Sequence, residues 1–244
     1  MSSNSKAAAR AQKAAEMRAA QKQREARRRI LTIAAVIAVM VLIVGGSIGI
    51  SLLNKKEVKA VGAGSSDYGV TIGSADAPHT VIIYEDFLCP YCGQLESATR
   101  EDLEELAADG KVFVEYRPFD LLSQAFGDYP IRAANAFALV LEKSGPEAAK
   151  RLHDLLYENQ PSEEDPDAVS NDDLVDLAVE AGASEGDVRD GIEGLSHQDW
   201  VTQATAEADK AGITGTPTIL LDGKVYQDGR SIQDVAKNLI AELE

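Results

Sequence analysis

Two cysteines are all that this 244-residue chain contains. No disulfide framework beyond that single pair can staple it, so its stability has to come from packing. Histidine is nearly as scarce. His79, His153 and His197 are scattered without ligand spacing, and a zinc site built on the cysteines would lack two of its four ligands. A haem attachment motif needs histidine after the second cysteine, and Gly93 stands there. Aromatic residues are only 5% of the chain, and none interleaves its basic N-terminal stretch, which argues against nucleic-acid binding. No internal repeat is present. No metal and no cofactor is expected.

What is present is a concentrated signal. The two cysteines form Cys89-Pro90-Tyr91-Cys92, between the apolar run Val81-Ile82-Ile83-Tyr84 and a helix-like stretch from residue 94 to 108. A thiol pair where a strand turns into a helix points to redox chemistry. Two intervening residues let the sulfurs close a small ring. The helix N-terminus offers free N–H groups and partial positive charge, which stabilise a thiolate. The thiolate is the form that attacks or leaves in disulfide exchange. Cys89 is expected at the exposed end with a depressed pKa, and Cys92, one turn inside, as the shielded resolving thiol. Two inert buried thiols are the bland alternative.

The charge is unevenly distributed. The first 29 residues hold nine Lys/Arg against two acids, net +7, with Arg27-Arg28-Arg29 at their end. Residues 30–53 are 24 residues without a charge; as a helix they would reach about 36 Å, enough to cross a bilayer with some tilt. The positive flank keeps residues 1–29 cytoplasmic and sends the remainder across. A cleaved signal peptide has a shorter apolar core, so length favours an uncleaved transmembrane anchor. Residues 54–67, with Gly62-Ala63-Gly64-Ser65-Ser66, read as a flexible tether. The whole chain carries −16, so residues 30–244 carry −23, which suits a soluble extracytoplasmic domain in a space where disulfides persist. Residues 68–244 are long enough for one domain with its own core.

Periodicity and punctuation predict strands at 70–72, 79–84 and 112–116 and a helix at 90–108 ended by Gly110. Helices follow at 130–143, 146–158 and 198–211, with two more capped by Asn171 and Ser184. A strand at 218–221, an Asp222-Gly223 turn, a strand at 224–226 and a Ser231-capped helix close the chain. That order is βαβ, a helical block, then ββα. It defines an α/β thioredoxin fold with a helical insertion at about 120–211, preceded by one N-terminal transmembrane helix. Pro217 opens a strand, where a missing N–H confines it to a ladder edge or end, and X-Pro bonds are those that tolerate cis.

Asp76-Ala77-Pro78, the stretch Glu85-Asp86-Phe87-Leu88-Cys89-Pro90-Tyr91-Cys92, Tyr157-Glu158-Asn159-Gln160-Pro161 and Gly215-Thr216-Pro217-Thr218 resemble the DsbA family. More narrowly they resemble its membrane-anchored, BdbD-like branch, over nearly all of residues 68–244. The resemblance implies a thiol:disulfide oxidoreductase that introduces disulfide bonds into exported cysteine-containing proteins through Cys89 and Cys92. It implies that Pro217 is cis against the cysteine pair, that Thr216 contacts substrate backbone, and that Pro90 and Tyr91 tune the pair. It further implies reoxidation by a quinone-linked membrane partner, DsbB- or VKOR-like. A disulfide isomerase or reductase is the alternative enzyme, but such isomerases dimerise through an extra domain that 14 tether residues cannot supply, so a monomer is expected. A membrane-anchored chaperone or scaffold for exported clients is the non-enzymatic alternative. One departure concerns the buried acid that many thioredoxin-like proteins carry six residues before the first cysteine. Ile83 occupies that position, and Glu85 and Asp86 fall at other offsets. Pro-Tyr is also the glutaredoxin pair, yet glutaredoxins are short and lack the insertion.

Overall fold

The computed structural model describes Val58 and residues 62–244. The basic tail and the apolar 30–53 span lie outside the described residues. Among the described residues no helix is long and apolar enough to cross a membrane.

β-Branched and aromatic runs build a five-stranded sheet in the order β1-β3-β2-β4-β5. The strands are β1 (Val70–Ile72), β2 (His79–Glu85), β3 (Val112–Pro118), β4 (Thr218–Leu221) and β5 (Lys224–Tyr226). β2 runs parallel to β3 and antiparallel to β4, so it is flanked on both edges and covered on both faces. Its alternation separates two apolar layers. Val81 and Ile83 join a cluster with Leu95, Leu103, Phe137, Leu152 and Leu239. Ile82 and Tyr84 join Ala204, Ala208 and Leu220 on the other face. Each fully buried Ile or Leu contributes about 1.5–3 kcal/mol, which is how a chain with one cysteine pair holds together.

The helices are α1 (Pro90–Ala108), α2 (Ser123–Phe126), α3 (Tyr129–Glu158), α4 (Asn171–Glu180), α5 (Glu185–Glu193), α6 (Gln198–Ala211) and α7 (Ile232–Leu243). α1 packs against α7, while α4, α5 and α6 pack on α3. The two amphipathic helices read from the sequence are both present within α3, separated by a non-helical Gly145 (φ 86°, ψ 177°) just before Pro146.

Three local features differ from expectation. β2 and β3 run on to Glu85 and Pro118, paired with each other. The cap of α4 is Ser170, one residue before Asn171, and it forms a capping box with Asp173; Ser184 occupies the cap position of α5 without a side-chain bond. Within the composition-derived tether, Gly64 N–H donates to Glu115 (2.7 Å) and Arg117 donates to the Gly62 carbonyl (3.2 Å) and Ser65 hydroxyl (3.3 Å). Residues 62–65 thus lie along β3. Ser231 caps α7 with Asp234 as expected, and the Asp222-Gly223 turn has both φ positive, 49° and 77°, the geometry of a tight hairpin.

Candidate active site

The end of β2 delivers Cys89 to the N-cap of α1, at φ −68° and ψ 116°. A capping Ser or Asp at that position would accept the N–H groups of the second and third helical residues. Here the Cys89 sulfur makes no side-chain capping bond, but the N–H groups of Tyr91 and Cys92 lie near enough to favour its charged form. Pro90 sits at the first helical position, where its missing N–H costs nothing. Both cysteines are free thiols.

The two sulfurs are chemically unequal. The Cys92 thiol bonds to Cys89, and the Thr216 side chain with the backbone N–H groups of Cys92 and Tyr91 adds to it; together they bring the Cys89 thiol down to about 6 against a burial that opposes them. Burial pushes Cys92 well above the ordinary thiol value, helped by the bond and charge from Cys89 and by the Glu85 charge. The sequence predicts an exposed Cys89, but the structure buries it, 5% exposed against 1% for Cys92. The cover comes from across the cleft, where Cys89 Sγ lies 3.4 Å from the Thr216 carbonyl.

The Thr216–Pro217 peptide is cis, and it immediately precedes β4, whose Ile219 pairs with Ile83 of β2. The sheet itself thus brings Thr216 and Pro217 to Cys89 across 127 residues of sequence. Beside them opens a groove of about 470 Å³ lined by Tyr91, Thr216, Pro217, Tyr226, Arg230 and Val235. Tyr91 is 61% exposed at its mouth. All six site residues expected from the sequence, Cys89, Pro90, Tyr91, Cys92, Thr216 and Pro217, meet in one place.

Sequence reasoning missed the buried polar floor. Glu85 and His153 are 2% and 0% exposed, and His153 Nε2 lies 2.6 Å from the Glu85 carboxylate. His153 Nδ1 faces Asp154 at 3.0 Å. Desolvation alone would lower this imidazole's pKa, but Glu85, Glu96 and Asp154 outweigh it and push the pKa up to about 10. His153 is therefore an imidazolium, packed among Phe87, Tyr116 and Tyr157. The helical period held the clue, because His153 falls on the apolar face of α3 with Ala149, Leu152 and Leu156, where a histidine needs a partner. Asp86 accepts N–H groups from Leu88 (2.8 Å), Leu121 (2.8 Å) and Leu122 (3.0 Å). Burial still raises its pKa to about 6. It ties the cysteine loop to the loop after β3.

Glu96, His153 and Asp154 converge closely enough to suggest a metal site. Their charge is already matched by the chain. Lys150 Nζ lies 2.6 Å from Asp154, and Arg100 Nε lies 3.0 Å from Glu96. The donor set does not fit a metal.

Comparison with known proteins agrees with this geometry. The Thioredoxin family model matches residues 65–240. The probable disulfide bond formation protein D of Bacillus cereus is 25% identical over 201 residues, covering 81% of this chain and 90% of that protein. The structure of the reduced disulfide bond oxidoreductase DsbG from Mycobacterium tuberculosis superposes with a TM-score of 0.61 at 28% identity, covering 75% of this chain and 88% of that one. The Na(+)/H(+) antiporter NhaA 3 of Salinispora tropica is 26% identical over 166 residues, 66% of this chain, but the match spans only 22% of that antiporter's length. The chain belongs to the thioredoxin family, in its DsbA-like group of thiol–disulfide oxidoreductases.

Proposed function

We propose that the chain is a membrane-anchored extracytoplasmic oxidase that introduces disulfides into exported proteins. The observation that carries this reading is the inequality of Cys89 and Cys92 at the N-cap of α1. A stabilised Cys89 thiolate stabilises the reduced enzyme, so the oxidised enzyme readily gives up its disulfide.

The chemistry balances as a dithiol–disulfide exchange. A substrate thiolate attacks Sγ of Cys89, the Cys89–Cys92 bond breaks, and Cys92 leaves as a thiolate that takes up a proton. A second substrate thiolate then attacks its own partner sulfur in the mixed disulfide, and Cys89 leaves as the stabilised thiolate. The substrate loses two electrons and the enzyme gains them. A quinone-linked membrane partner, DsbB- or VKOR-like, would remove those electrons. Residues 30–53 would hold the chain in the membrane with residues 1–29 in the cytoplasm, and a single copy would suffice.

Equilibration of the purified chain with glutathione tests the direction. The expected potential is well above the roughly −270 mV of thioredoxin. A value at or below that figure would select the reductase reading, and a chain with no reversible dithiol–disulfide equilibrium would select the scaffold.

A further inference from the structure

Beneath the cysteine turn, the inserted helical block reaches back toward α1. Gln160, just after the end of α3, sends its amide nitrogen to two carbonyls of the active-site loop. Nε2 lies 2.8 Å from the Phe87 oxygen and 3.0 Å from the Cys89 oxygen. The same Cys89 oxygen accepts the N–H groups of Cys92 (3.0 Å) and Gly93 (3.2 Å). The other end of the amide explains a glycine. A Cβ on Gly93 would stand 2.5 Å from Gln160 Oε1, closer than real contacts allow. Gly93 lies inside a helix, where glycine is worse than alanine by roughly 0.5–1 kcal/mol. Helix propensity therefore does not account for it; a side chain at this position would have to push the Gln160 amide aside.

We propose that Gln160 is a positioning residue for the redox pair: its amide clamps the Phe87 and Cys89 carbonyls, and Gly93 is the opening through which it reaches them. The clamp holds the backbone on either side of Leu88, and so holds Cys89 at the N-cap of α1, where the Tyr91 and Cys92 N–H groups favour its thiolate. The amide's positive end also faces the peptide that carries the thiolate. Both effects favour the charged sulfur, which exists in the reduced enzyme alone. Losing the clamp makes Cys89 harder to ionise and the disulfide less oxidising. The inference deepens the function proposed above and rests on Cys89–Cys92 as the redox pair.

Three variants of the full chain test it: Gln160→Met, which keeps length and removes the donors, Gly93→Ala, which leaves the glutamine but displaces its amide, and the two combined. The rate of Cys89 alkylation against pH reports its ionisation. Each single variant is expected to move the midpoint upward by about one pH unit, about a tenfold loss of thiolate on the acid side. The equilibrium constant with glutathione should fall about tenfold, about 30 mV for a two-electron couple. The double variant should match either single one, because both remove the same contact. An unmoved midpoint in the singles, or shifts that add in the double, would overturn the clamp. Thiolate titration needs no substrate. A parental chain that oxidises no dithiol, yet shows these shifts, would end the oxidase reading and leave the clamp standing.

Discussion

At the scale of single residues, the division of labour between Cys89 and Cys92 follows from where each sits on one helical turn. Cys89 at the N-cap has N–H groups beneath it and a pKa of about 6. Cys92 is buried in the layer below with its pKa raised. In the reduced protein, a limiting alkylating agent at about pH 6–7 is expected to modify Cys89 and spare Cys92, since thiolate fraction governs the rate. Peptide mapping checks this. Cys92→Ser should accumulate mixed disulfides with reduced clients, and Cys89→Ser should form none. Equal labelling of the two sulfurs would sink the assignment.

His153 makes a second residue-scale prediction. Its folded pKa is raised to about 10, against an ordinary value of about 6.5. A raised pKa in a base means that the folded state holds the proton more tightly. The resulting stability is complete below about pH 6.5 and is lost as pH rises through about 10. Urea unfolding of the parent should therefore weaken between about pH 7 and 10, and His153→Gln should flatten that slope. At neutral pH the same substitution leaves Glu85 as an unmatched buried charge, a loss of about 3–5 kcal/mol. Glu85→Gln combined with His153→Gln should recover part of it. A parent whose stability did not change across that range would show that His153 is not an imidazolium.

At the scale of elements, caps and turns were the most legible features, because their chemistry is local. Gly145-Pro146, Asp222-Gly223 and Ser231 with Asp234 each act within four residues of sequence, and each punctuates the chain where its residue types require. The miss at α4 was also local: Asn171 and Ser170 are both good caps, and the reciprocal Asp173 three residues on decides for Ser170. What stayed illegible is long-range. Nothing within either segment says that His153 faces Glu85 across 68 residues, or that Asp86 will bond Leu121 and Leu122. The cysteine pair was readable as a motif, but the cover over Cys89 was not, since Thr216 arrives through the pairing of β4 with β2. An element-scale test separates structure from site. Ser170→Ala should cost about 1 kcal/mol of stability through the lost cap, read by urea midpoint, with Cys89 alkylation unchanged. A changed alkylation rate would mean that α4 is coupled to the active site.

At the scale of the whole molecule, charge and hydropathy divide the chain more sharply than any fold boundary does. A +7 tail precedes 24 uncharged residues, and a strongly acidic remainder follows. That order would have a directional meaning in a membrane, because a positive flank stays cytoplasmic while a following domain translocates largely regardless of its charge. Under the proposed topology the redox pair would lie outside the cytoplasm, where it could act. A thiolate poised at about 6 serves as an oxidant's leaving group in a compartment where disulfides persist, and would be kept reduced by the cytosolic glutathione pool. Protease added to intact cells stripped of their wall should degrade the domain and leave a protected fragment that contains residues 1–53. An epitope placed before Arg10 should be detected only after the membrane is permeabilised. A domain protected in intact cells would reverse the topology, and with it the extracytoplasmic oxidase reading.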